Sequence, residues 1–156
     1  MSEGDEAARG EGMRFGWLFI LPMALVSCVS RYERDFQSAV EVMPESPPSV
    51  EGPWVGRWRS DTNGHEGPLW CLVRERDGGG YDFRYRAGWG VMQFGDYLHA
   101  IEEVEETESG IAFRGAMDLP GGVGVYDVEG LVVPDFFDAE YRSDRGDHGT
   151  IKLRRP

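Results

Sequence analysis

From Trp54 onward, apolar and polar residues alternate with a period of two. Tyr81-Asp-Phe-Arg-Tyr-Arg-Ala87 carries aromatic rings on one side and charges on the other, the pattern of a strand with one buried and one solvated face. Trp54, Gly56 and Trp58 share a face opposite Arg57 and Arg59. Leu69, Cys71 and Val73 alternate with Trp70, Leu72 and Arg74, a run apolar on both sides at its start. The same period returns over residues 111–119, 125–133, 136–142 and 150–155. Between these runs stand Asn63-Gly64, Asp77-Gly-Gly-Gly80, Glu108-Ser-Gly110, Pro120-Gly-Gly122, Pro134-Asp135 and Arg145-Gly146. Each offers the positive or fixed φ that a tight reversal needs. The spacing leaves no room for crossover helices. It predicts an all-β domain over 53–156, a single antiparallel up-and-down β-barrel of about eight strands, closed so that no long edge is exposed. Residues 96–106 fit two patterns, an acidic amphipathic helix or a strand with Tyr97, His99 and Ile101 on one side. The hairpin signals close to both ends favour the strand.

Upstream the pattern changes. Met43-Pro-Glu-Ser-Pro-Pro-Ser-Val-Glu-Gly-Pro53 is proline-rich, so residues 28–52 read as a semi-stiff tether. A short helix over 31–42 is the alternative, without a closing signal. Before it, Met13-Arg14 leads into an apolar run that ends at Ser27. That run is shorter than the roughly 17–25 residues a spanning helix takes, and Pro22 interrupts it. A basic residue, an apolar stretch and small closing residues form the layout of an export signal over 13–27. Residues 1–12 are acidic, with Glu3, Asp5, Glu6 and Glu11 against Arg9. Such a start contradicts a positive leading region, so translation is expected to begin at Met13 and 1–12 to be a start-site artefact.

The ending Leu25-Val-Ser-Cys28 resembles the lipobox of bacterial lipoproteins. The resemblance implies that Cys28 becomes lipid-modified and forms the new N-terminus. The protein is then lipid-anchored in the cell envelope, facing the periplasm or on the outer membrane. A plain secreted protein cut near the same point is the alternative. Charge agrees with a lipid route to the membrane. The chain carries 16 basic and 28 acidic residues, a formal net charge of −12. Such a surface repels nucleic acid and anionic headgroups, so Cys28 is the evident route to a bilayer. Cys71, in an apolar run, is expected to be a buried hydrophobe. Were Cys28 unmodified, an oxidising compartment would permit a Cys28–Cys71 disulfide.

Catalytic signals are weak. His65 and His148 sit beside glycines in turn-like runs, and no cluster of His and Cys has zinc spacing. The acidic stretch 102–108 lacks the ladder of a calcium loop. Asp135, Asp138 and Glu140 supply carboxylates, but an acid-rich chain makes such pairs freely. Gly121-Gly-Val-Gly124 lacks the Lys and hydroxyl residue of a phosphate loop, and no nucleophile elbow occurs. No enzyme activity, metal or cofactor is therefore expected. Aromatic residues remain: five Trp, six Tyr and eight Phe. In a small barrel they either fill the interior, giving a structural or interaction protein, or leave space for one small ligand. The second case places Trp58, Phe83, Tyr85, Phe113 and Tyr126 around a small apolar or amphipathic molecule.

Gly56-Arg-Trp58 near the start of the first strand, with Arg155 on the last, resembles the lipocalin (calycin) arrangement. There an arginine of the closing strand covers the tryptophan of a Gly-x-Trp triplet. The resemblance implies that Trp58 and Arg155 close one end of the barrel. In combination, Trp58…Ser60…Asn63-Gly-His-Glu-Gly-Pro-Leu-Trp-Cys71, Gly121-Gly-Val-Gly-Val-Tyr126 and His148-Gly-Thr-Ile-Lys-Leu-Arg-Arg-Pro156 resemble a family of small exported bacterial proteins, mostly of planctomycetes. That family carries no assigned activity, and the likeness implies fold and compartment only.

Overall fold

The computed structural model describes residues 30–156. The expected start at Met13, the signal over 13–27 and Cys28 lie outside the described residues. A helix α1 (Arg31–Glu41) is followed by nine strands: β1 (Gly52–Ser60), β2 (Glu66–Glu75), β3 (Tyr81–Trp89), β4 (Met92–Ile101), β5 (Glu103–Glu106), β6 (Ile111–Leu119), β7 (Gly124–Val133), β8 (Phe136–Ser143) and β9 (His148–Arg154). They form one antiparallel sheet in the order β4-β3-β2-β1-β9-β8-β7-β6-β5. Sequence neighbours pair throughout except at β4 and β5, and the β1–β9 ladder joins the two ends of the meander. The sheet curls into an up-and-down half-barrel. Its flanks meet where β4 packs on β6, a seam without a hydrogen-bonded ladder. Residues 96–106 are strand, broken only at Glu102.

One irregularity shapes the interior. Tyr85 pairs with Tyr97, but Ala87 pairs with Phe94, so β4 carries one extra residue. Gly95 takes it up at φ 94°, a left-handed conformation that glycine adopts without steric cost. Beyond this bulge the inward parity of β4 shifts.

The stretch 28–52, read above as a tether, is corrected over residues 31–41. These form α1, laid along the outside of the sheet. Ser30 accepts a hydrogen bond from the Glu33 N–H at 3.2 Å, and the Glu33 carboxylate accepts one from the Ser30 N–H at 2.9 Å. This capping box satisfies two amides at the helix start. Tyr32 and Phe36, four apart on one face, are buried against Leu72 with Val55 and Trp70 around them. The helix thus accounts for the two-sided apolarity of β2: Cys71 and Val73 face the barrel, while Leu72 lies under α1. Arg84 fastens the contact with one N–H to Asp35 at 2.7 Å and two to Asp96 at 3.0 and 2.8 Å.

The barrel has two unequal halves along its axis. In the lower half Phe83, Phe113 and Phe137 pack at ring-centroid distances of 4.9 to 5.6 Å. Trp54 stands edge-on to Phe137 at 5.9 Å and is wholly buried. This half is solid. The four turns at the other end surround an opening.

Candidate functional site: the aromatic cavity

Alternation brings one or two inward side chains per strand to the upper half. β1 contributes Trp58, β2 Leu69, and β3 Tyr85 and Ala87. Across the seam and beyond, Met117 and Leu119 come from β6, Tyr126 and Val128 from β7, Tyr141 from β8 and Ile151 from β9. The bulge at Gly95 lets both Phe94 and Tyr97 of β4 join the same wall, although their separation of three breaks the alternation. Together they bound a cavity of about 290 Å³, near the lower end of the roughly 300–1,000 Å³ typical of small-molecule sites.

The wall is held by a few polar contacts. Trp58 donates its indole N–H to the Gly88 carbonyl at 3.1 Å. Gly67 makes room for this pair, since a Cβ there would lie 1.9 Å from that carbonyl oxygen and 2.8 Å from the indole nitrogen. At the rim, Asp147 accepts hydrogen bonds from the Ser60 hydroxyl at 2.5 Å and the Tyr141 hydroxyl at 3.4 Å. Asp147 is the one charged residue of the wall, and no Lys or Arg pairs with it among the described residues. Burial, with the Asp147 charge as a second cause, raises the Tyr141 pKa above its ordinary value. Tyr85 is buried with its hydroxyl lacking a hydrogen-bond partner. Burial first, and the neighbouring Cys71 second, push that hydroxyl well up in pKa. Neutral phenols and one carboxylate make the site apolar with a single anionic edge.

Of the expected lining residues, Trp58, Tyr85 and Tyr126 do line the cavity. Phe83 and Phe113 do not; they share the inward face but sit lower, in the solid half. The expected closure is corrected as well. Arg155 covers Trp54, with its guanidinium carbon 3.8 Å from the ring centroid, whereas Trp58 lies at the cavity. The triplet under the arginine is therefore Gly52-Pro-Trp54, four residues earlier. Cys71 is a free thiol, fully buried, whose pKa is raised by burial. Met117, Leu119 and Tyr141 were missed, although each lies in inward parity with Phe113 or Ala139. Phe94 and Asp147 had no such signal.

The histidines stay apart. His65 lies tilted against Trp89 with ring centroids 5.2 Å apart, His148 pairs with Thr62 at 3.1 Å, and His99 is buried at the seam. Among the described residues no three His, Cys, Asp or Glu side chains converge as a metal site, and no helix is long and apolar enough to cross a membrane. Comparison of the chain with protein-family models, with curated proteins and with solved structures returns no match.

Proposed function

We propose that this chain is a lipid-anchored protein of the bacterial cell envelope, without catalytic activity, whose barrel binds one small apolar or amphipathic molecule. The observation that carries the reading is the aromatic cavity. Its walls reward burial of apolar surface at about 25 cal/mol per Å², while Asp147 offers a hydrogen-bond acceptor to a polar end at the rim. The packed lower half favours the second reading, a structural or interaction protein with a filled core.

Native mass spectrometry of the purified protein decides between them. Ligand binding predicts an adduct in the wild type that Ala87→Trp lacks, because the indole occupies the cavity from its β3 wall. An adduct of equal intensity in both, or none in either, overturns the cavity reading. The anchor is tested separately. Cys28→Ser is expected to move the protein from the membrane fraction to the soluble one, since the acidic domain offers no basic patch to hold it. Full retention of that variant on membranes removes the lipid anchor.

A further inference from the structure

The turns at the cavity end differ in character. Those at residues 61–65 and 144–147 carry charge, whereas the β3–β4 tip, Trp89-Gly-Val-Met92, and the β6–β7 tip around Val123 carry none. These two uncharged tips belong to the strands that flank the β4–β6 seam. Their apolar side chains face water: Val91 is fully exposed, Met92 57 % and Trp89 47 %. Continuous with them, Phe94 and Val123 are both cavity wall and partly exposed rim. In a chain this rich in charge, such an uncharged apolar lip marks an interaction surface, and Trp with aliphatic neighbours suits the interfacial zone of a bilayer.

The path of the chain points the same way. Ser30, at the start of α1, accepts a hydrogen bond from the Arg86 guanidinium, and Glu33 pairs with Arg86 at 3.6 Å. Arg86 is three residues before Trp89 on β3, about 10 Å along the strand. Cys28 precedes Ser30 by two residues, a reach of at most about 7 Å. The described chain therefore enters α1 beside the half of β3 that leads to the uncharged lip.

We propose that the cavity end is the membrane-facing end, with the β3–β4 and β6–β7 tips seated in the interfacial layer of a lipid bilayer and the cavity mouth opening onto it. An apolar molecule then passes between bilayer and cavity without crossing bulk water. The orientation rests on the anchor reading of Cys28, while the seating of the tips rests on their own exposure and lack of charge.

The test uses the processed chain, purified from membranes and reconstituted in phosphatidylcholine vesicles with brominated acyl chains, which quench indoles that reach them. The expected result is a quenched tryptophan component in the wild type that is lost in Trp89→Phe. Val91→Asp, at a fully exposed turn position outside the core, is expected to lose it too by lifting the tip away. If the chain sits on the vesicles but quenching is the same in Trp89→Phe, the docking is overturned and the anchor stands. If the chain stays in the aqueous phase, anchor and docking fall together.

Discussion

Arg155→Ala lowers the unfolding free energy by about 4 kcal/mol, with a fall in Tm of roughly 10–20 °C. The side chain makes four hydrogen bonds with backbone carbonyls as sole acceptors: Ser49 at 2.6 Å, Glu51 and Pro134 at 2.8 Å and Pro53 at 3.3 Å. Its plane also lies on the Trp54 ring, a contact of about 0.5–2 kcal/mol. Truncation removes donors from carbonyls at a crowded barrel end and uncovers a wholly buried indole. Gly52 shows how close the fit is: it stands at φ 106°, and a Cβ there would lie 3.2 Å from Nη1. Against a total stability of roughly 5–15 kcal/mol for a domain, such a loss is severe. Arg155→Lys keeps the charge but lacks the planar fork, so it is expected to recover less than half of the deficit. Urea unfolding at neutral pH checks both variants through the midpoint at unchanged slope. A midpoint for Arg155→Ala that matches the wild type would show that the cap holds nothing.

The same arginine shows which features of this fold alternation makes legible. Period two assigns a residue to a face of the sheet, and it gives about eight strands, short of the nine observed because 96–106 reads as one element where β4 and β5 are two. It does not assign a height along the barrel. Trp54 and Trp58 share a face and each closes a Gly-x-Trp triplet, yet four residues separate them by about 13 Å along the strand. Only the β1–β9 register, with Val55 opposite Arg154 and Trp58 opposite Ile151, tells that Arg155 meets the first. Phe83 and Tyr85 pose the same problem, being neighbours on one face, one in the solid half and the other in the cavity wall. Phe94 was hidden for a different reason, since the bulge at Gly95 breaks the parity by which an inward residue is recognised. Helix α1 has a readable start in Ser30-x-x-Glu33 and an apolar face of Tyr32, Phe36, Ala39 and Val40, but no closing signal sets it off from the prolines that follow. What sequence periodicity resolves is face and element; what it leaves to tertiary structure is level, register and the partners brought from a distance.

Stability between pH 7 and pH 5 is expected to depend on His99. Its ring is buried at the β4–β6 seam, and neither nitrogen has a hydrogen-bond partner. Gly115 of β6 leaves just enough room, since a Cβ there would lie 2.7 Å from Nε2. The ring centroid of Tyr85 is 6.5 Å away. Burial pushes the His99 pKa down to about 4, against a small upward pull from the Gly115 backbone. The unfolded chain, with a histidine pKa of about 6.5, therefore binds a proton that the native state refuses. Stability is thus full above pH 6.5 and falls as pH drops from there towards 4, by about 2 kcal/mol at pH 5. The carboxylates of Glu33 and Asp35, held low chiefly by hydrogen bonds from the Ser30 amide and from Arg84, shift in the same direction and likewise lose stabilisation as pH falls. Their loss begins only from about pH 5 downward, as the unfolded carboxylates start to bind protons, so the window from pH 6.5 to 5 isolates His99. His99→Leu fills the same space without a titratable nitrogen and is expected to flatten the profile across that window, becoming the more stable protein at pH 5. Urea midpoints of both proteins from pH 7 to pH 5 decide it. Parallel curves would mean that the histidine escapes to water, and that the seam between β4 and β6 is open rather than packed.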